Sequence, residues 1–595
     1  MKFTKYVLAL AIAFCAIISV SNAQSVFIGG GSSALALEVG QAAVVYEDSI
    51  TGPNTACVWS RKTGSLHSGS TMNAVDNRLG PTTESGNVWV VWDKGTGADC
   101  QHPAGSFNVF MYTNLDSVLG DRGFFEADPG DGTAPAGTGY VQHLVLAAND
   151  QVPSPADNIL NSNPTSGHTF TDNPLGIPTT VINLLNEQHW NFAGTDIRPE
   201  DAKYATYRAL SPCNAGIYRQ PFDLILRQTA GLGYSNGNSI TDAFGAGKSF
   251  HVLDFNISGN DPINTTAAVP PNWAVSIVGA QPIIVGVGPI TGASGTGIYQ
   301  ATDIPTYVLS QFFLGVLSRP NDLLGPTGSQ AVTALVREPL SGTYNTFEYS
   351  NVNSSQFHNS QDQFNCSPAP GNPLNLPSSD GANGIAARKR VIGTGQMVTQ
   401  IGNGTDTDER IGYFFWSAGN VGSGTGAANI KYLTVGGVDP IQNTYTNGAL
   451  PSSGAPGDPC GGTVVGCTNI TFAGLKSGDY PLWSALRLVT VSPVPAQISN
   501  LITAAQTLNS TQFDFVPLTA LNVWRSHYYL PAIGINTASN GPTINPATPG
   551  DLCNSLSPAL AEQGGDAGGA IITKKANADF CSDYNVNYGL VNKTE

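Results

Sequence analysis

The sequence predicts an α/β fold, and three observations carry that prediction. Short apolar runs alternate with helix-like segments along most of the chain. Glycines and small hydroxyl residues stand at the joints, as in "VFIGGGSSALALEVGQAA". Hydrophobic residues make up 41 % of the 595 residues and charged ones only 11 %, a balance that supports packed cores and argues against a disordered chain.

Taken in order, the chain opens with Lys2, Lys5, the apolar run "YVLALAIAFCAIISV" and the small-x-small "SNA". Residues 1–23 thus read as an export signal cleaved before Gln24. No later apolar run has the length of a membrane span, so the mature chain is expected to be secreted or periplasmic without membrane insertion. "VFI" then predicts a strand, the glycines a turn, and "SALALEVGQAAVVY" a helix capped by Ser32 or Ser33. "NVFMY" reads as a strand running into "TNLDSVLGDRGFF". "WNFAGTDIRPEDAKYATYRAL" carries a helix start at Pro199, strengthened by Glu200 and Asp201. "PIIVGV", "TYVLSQFFLGVL" and "TALVRE" continue the alternation, which points to largely parallel sheets. The polar, Gly-rich stretches 60–90, 126–140, 350–385 and 417–427 read as surface insertions, since none has the periodicity for its own core.

Charge and cysteines narrow the function class. With 26 Lys plus Arg against 42 Asp plus Glu, the formal net charge is −16. Binding to nucleic acid by counterion release needs clustered cations and is excluded on this basis. Outside the signal the cysteines are Cys57, Cys100, Cys213, Cys366, Cys460, Cys467, Cys553 and Cys581. Export makes disulfides the expectation. Proximity suggests Cys57–Cys100, Cys460–Cys467 and Cys553–Cys581, which leaves Cys213–Cys366 by elimination. No CxxC occurs and disulfides are the expectation for the cysteines, so neither zinc nor any other cofactor is expected.

Basic residues being scarce, the placement of Arg337 is informative. In "ALVREPLSGTYNTF" it ends a strand-like run, and Ser341, Gly342 and Thr343 open a helix-like segment behind it. A helix mouth presents unpaired N–H groups, the glycine admits close approach, and the guanidinium suits bidentate contact with a tetrahedral oxyanion. Ser33 and Ala34 stand at a similar mouth, Ser117 follows a strand, and Asp196 follows the apolar-small "FAGT". Each also has a plain reading as a cap or surface residue. Gly29, Gly31 and Ala34, with Glu47 and Asp48 downstream, fit a dinucleotide fingerprint on paper, although an exported protein has little access to NAD.

Together these segments resemble the phosphate-binding proteins of bacterial ABC importers, of the type II periplasmic-binding fold. The resemblance rests on Gly29 to Ala34, on "AGTDIRP", on Arg337 to Thr343, on "DERIGYFFWSAGNV" and on "YPLWSALRLVTV", in the family's order but separated by long insertions. Glu338, Pro339 and Leu340 depart from the family's usual polar residues, and Ala34 stands where an aromatic is common. The resemblance implies a two-lobed α/β fold with a hinge cleft, its lobes built from 24–215 plus 471–595 and from 216–470. It implies inorganic phosphate as the ligand, an ABC transporter permease as a partner, and no catalysis. The phosphate contacts would be the Ser33 hydroxyl, the Ala34 N–H, Ser117, Arg337, Ser341, Gly342 and Thr343. Asp196 would accept the proton that phosphate carries and sulfate lacks.

Three other readings stand beside it. "GYSNG" matches G-x-S-x-G and offers Ser235 as the nucleophile of a secreted hydrolase, with His251, His358 or His527 as base, but its flanks lack the strand and helix of a nucleophile elbow. "GTDTDE", residues 404–409, offers carboxylates to calcium or forms a solvated turn. A secreted surface or matrix protein could also keep the fold and bind another oxyanion or none.

Overall fold

The computed structural model describes residues 24–53, 55–62, 87–117, 120–121, 124, 176–185, 190–197, 273–289, 297–315, 317, 331–337, 341–352, 361, 375–377, 387–391, 393–402, 408–416, 426–442, 448, 450, 470–491, 493–508, 514–525 and 571–573. The export signal, Ser235 and its three histidines, the helix expected at Pro199, and Cys213, Cys366, Cys460, Cys467, Cys553 and Cys581 lie outside these residues.

The N-terminal segment supplies strands β1 (Ser25–Ser32), β2 (Cys57–Lys62), β3 (Asn87–Trp92), β4 (Asn108–Leu115) and β5 (Phe192–Thr195), with helices α1 (Ala36–Thr51) and α2 (Thr179–Leu185). The middle segment supplies β6 (Trp273–Gly288), β7 (Asp303–Ile304), β8 (Val332–Arg337), β9 (Asn375–Pro377), β10 (Ala387–Val391), β11 (Glu409–Phe415), β12 (Lys431–Tyr432) and β13 (Thr434–Val435). Its helices are α3 (Thr306–Phe313), α4 (Gly342–Phe347) and α5 (Gly393–Gly402). The last segment adds α6 (Ala473–Ser477), β14 (Trp483–Val491), α7 (Ala496–Gln506) and β15 (Val516–Pro517).

One mixed sheet of 13 strands organises these pieces, in the order β2-β3-β4-β1-β5-β14-β6-β11-β8-β10-β9, with β12 and β15 also on β6. Two blocks are parallel, β4-β1-β5 and β10-β8-β11. Strand β6 joins them. Its first part pairs antiparallel with β14 up to Pro282, and its second part pairs with β11 from Ile283 onward. Pro282 marks the changeover, its carbonyl accepting the Trp416 N–H at 3.0 Å.

The expectation of largely parallel sheets is therefore corrected. Strand-helix alternation marks only the parallel blocks, whereas "CVWSRK", "NVWVVW" and β4 form an antiparallel meander at one edge. The stretch 60–90 is likewise narrower as an insertion than expected, because β2 runs to Lys62 and Val88 to Val90 are buried. In 350–385, Gln361 is fully buried. Continuous apolar runs buried on both faces drive this packing: Val88 to Trp92 are all fully buried, and Trp59, Trp89 and Trp92 are wholly enclosed.

The disulfide Cys57–Cys100 is formed, with Cα atoms 5.6 Å apart. Helix α1 packs beside α7, and its Leu35–Val39 face belongs to the large core that also holds Val278, Leu486 and Leu488. No helix among the described residues is long and apolar enough to cross a membrane.

Candidate functional site

The site forms where the carboxyl ends of β1, β5 and β8 approach one another. Close backbone contact makes that possible. Gly31 sits at φ +129°, a conformation that favours glycine. A β-carbon at Gly120 would lie 2.6 Å from the Gly31 Cα and 3.0 Å from the Gly194 carbonyl oxygen. Three glycines thus let the segment beginning at Ser117 settle against the ends of β1 and β5.

These packing contacts also dispose of the dinucleotide reading. Gly29 and Gly30 are filled from within by Phe192 and Trp190. The Asp48 carboxylate accepts the N–H groups of Thr55 and Ala56, both at 2.8 Å, and Glu47 accepts from Asn108 at 3.2 Å. Neither acid faces a ribose.

Asp196 follows β5 in a turn closed by Thr195, whose hydroxyl donates to the Ile197 carbonyl at 2.9 Å. It is 1 % exposed. Its carboxylate accepts from the Ser117 hydroxyl, and its backbone carbonyl accepts from the Ser484 hydroxyl and from Arg487 Nη1 at 3.1 Å. Burial pushes the Asp196 carboxyl up to about 7, against the opposing pull of a backbone hydrogen bond, of the Arg487 and Arg337 charges, and of the Ser32 hydroxyl. The group therefore changes protonation near neutral pH and can donate or accept.

Gly342 approaches from the other block. A β-carbon there would overlap the Asp196 carboxylate and the Ser117 hydroxyl. It is the first residue of α4, and Ser341 before it is extended at φ −70°, ψ 132°. Ser341 and Thr343 are buried at 1 % and 3 % exposure.

Arg337, the last residue of β8, is 2 % exposed. Its Nη1 donates to Thr394 Oγ1 at 3.2 Å, and Nη2 lies 3.7 Å from Asp116 Oδ1. Its backbone N–H reaches the Tyr413 hydroxyl at 3.4 Å. The structure thus brings Ser117, Asp196 and Gly342 into mutual contact, and the Arg337 charge acts on Asp196.

The mouth of α1 differs from expectation. Leu35, not a serine, occupies the position before the helix, with no side-chain cap. Ser32 Oγ accepts the Ala34 N–H at 3.1 Å, and Ser32 is the serine whose hydroxyl acts on Asp196. Ser33 is half-buried one residue along. A three-residue turn between strand and helix shifts the register by one, which the glycine run concealed.

Three contributors escaped the sequence reading, Asp116, Ser484 and Arg487, and Ser32 entered it only as a possible helix cap. A signal existed for Arg487, a lone cation inside the apolar strand "WSALRLVTV", where burial demands partners. In the 404–409 stretch, Asp408 accepts from Thr333 at 3.1 Å and Glu409 from the Tyr299 N–H at 3.4 Å. No group of three metal-ligating side chains occurs among the described residues.

No protein-family model matches the chain, and no curated protein sequence matches it. Solved structures do. An ABC-type phosphate transport receptor from Vibrio cholerae aligns at 12 % identity and TM-score 0.24, over 41 % of this chain and 72 % of that one. A human phosphate binding apolipoprotein aligns at 15 % and 0.27, over 56 % and 79 %. A phosphate-binding protein from Stenotrophomonas maltophilia aligns at 14 % and 0.25, over 57 % and 79 %.

Proposed function

We propose that this chain is an exported solute-binding protein that holds inorganic phosphate between two lobes, without catalysis. The observation that carries the reading is the meeting of Ser117, Asp196 and Gly342 beside the buried Arg337. These residues come from three separate stretches of sequence, and together they supply what a partly protonated oxyanion requires. A guanidinium compensates its charge, hydroxyl and backbone N–H groups donate to its oxygens, and one buried carboxyl takes its proton.

The carboxyl makes the site selective. Phosphate near neutral pH carries a proton that ionised Asp196 accepts. Sulfate carries none, so beside the same carboxylate it meets a like charge and an unpaired acceptor. With the carboxyl held at about 7, this discrimination belongs to the ionised form and strengthens as pH rises above that value.

The two lobes are taken to correspond to the two parallel blocks, with β6 and β14 as the shared strands. Closure over the ligand would then flex the chain near Pro282. Uptake through an ABC-type permease is the role that the sequence motifs suggest, and a periplasmic or extracellular location follows from the reading of residues 1–23 as an export signal.

Titration calorimetry on protein stripped of ligand tests the reading. Wild type should bind phosphate and ignore sulfate, and Arg337→Ala should lose phosphate. Asp196→Asn should gain sulfate, because an amide donates where the carboxylate repels. Wild type silent toward both anions would end the proposal and favour a surface protein on the same fold.

A further inference from the structure

We infer that Thr394 is a positioning residue for Arg337, holding its guanidinium ready for the anion; its use in phosphate binding rests on the reading above. Sheet register brings the two together. Strand β10 runs parallel to β8 with Val391 opposite Arg337, so the chain leaving β10 emerges beside the arginine. Helix α5 begins two residues later at Gly393, whose φ of +69° makes the tight entry that glycine favours. Met397, Val398 and Ile401 then bury the helix in the core with Leu335 and Val391. Thr394 is therefore fixed to the same framework as β8.

The geometry gives its hydroxyl a definite task. Thr394 Oγ1 accepts from Arg337 Nη1 at 3.2 Å, while Asp116 stands 3.7 Å from Nη2. The two partners differ in kind. Asp116 opposes the charge that would attract an anion, and it arrives from the other parallel block, after β4. Thr394 is neutral and leaves the charge undiminished. A hydroxyl accepting from the guanidinium also keeps its own proton to donate. An arginine so braced loses less conformational freedom when it captures a ligand.

The test has one arm that needs no ligand. NMR of protein labelled at arginine reads rotation of the Arg337 guanidinium, assigned by its loss in Arg337→Lys. Wild type should show slowed rotation, Thr394→Val fast rotation, and Thr394→Ser the wild-type value. In titrations, Thr394→Val should weaken phosphate binding roughly tenfold, Thr394→Ser should restore it, and sulfate should stay excluded because Asp196 is untouched. Fast rotation in wild type, or equal rotation in wild type and Thr394→Val, would overturn the inference. Unchanged phosphate affinity in a folded Thr394→Val would overturn its use in binding. Braced rotation in a wild type that ignores phosphate would keep Thr394 as the brace and end the phosphate reading instead.

Discussion

Phe347 and Tyr413 lie ring on ring, their centroids 3.9 Å apart and their planes 2° from parallel. The stack ties α4, which begins at Gly342, to the middle of β11. The Tyr413 hydroxyl accepts the Arg337 N–H and donates to Gln361 Oε1 at 2.6 Å. Gln361 in turn donates to Glu348 at 2.9 Å, and its carbonyl accepts from Arg388. The end of β8 and the end of α4 therefore rest on one aromatic residue.

Tyr413→Phe separates the two supports. The ring and its stack remain, and the hydroxyl goes. Two buried partners then lose their hydrogen bond, at a cost of about 1–3 kcal/mol. Denaturant unfolding should show that loss with an unchanged m value. Tyr413→Ala should cost more by removing the stack as well. Equal stability of wild type and Tyr413→Phe would mean the hydroxyl bonds contribute nothing net.

Gly342→Ala tests the approach of the two blocks. The added β-carbon has no room beside the Asp196 carboxylate and the Ser117 hydroxyl. Gly342 is not among the glycines of positive φ, so left-handed backbone strain does not confuse the result. Phosphate affinity should fall by roughly 100-fold, the equivalent of about 2.8 kcal/mol. Gly342→Ala binding phosphate as wild type does would show that these residues part when ligand enters.

How far the sequence revealed this site depends on how local each signal is. Arg337 was legible because a scarce cation ended an apolar strand beside Ser341-Gly342-Thr343. Asp196 was legible because it followed a small, apolar strand end. Arg487 was not, since its role depends on β14 lying beside β5 with Arg487 opposite Thr195, a pairing across about half of the chain. Ser32 was read only as one of two possible helix caps, because the turn length after a glycine run is not encoded by periodicity. The mixed sheet was misjudged for a related reason: hydrophobic runs mark strands but not their direction.

The disulfide offers a measurement apart from the site. Cys57 and Cys100 are 43 positions apart and join β2 to the loop leading into β4. Closing a loop of that length restricts the unfolded chain by about 4 kcal/mol in the entropic account. Replacing both cysteines with alanine should lower stability by up to that amount, and reduction of the intact protein should do the same. Since β4 carries Ser117 just beyond its end, phosphate binding should survive in the fraction that remains folded. A double variant as stable as wild type would show that the bridge constrains nothing the fold does not already constrain.

Glu47 gives the pH dependence. Burial raises its carboxyl from 4.5 to about 9, and the neighbouring Asp93 charge adds to the effect. The folded state thus holds a proton that the unfolded chain releases above 4.5. Between 4.5 and about 9 the folded form binds more protons than the unfolded one, so stability must fall as pH rises through that window. Its contribution is complete below 4.5 and lost by the time pH passes about 9. Glu47→Gln keeps the shape and cannot ionise. Its unfolding free energy should decline less steeply than that of wild type across this window, with the gap widening toward alkaline pH. Parallel curves for the two proteins would mean that Glu47 is already ionised in the folded state. The buried contact with Asn108 would then be an ionic hydrogen bond rather than a neutral one.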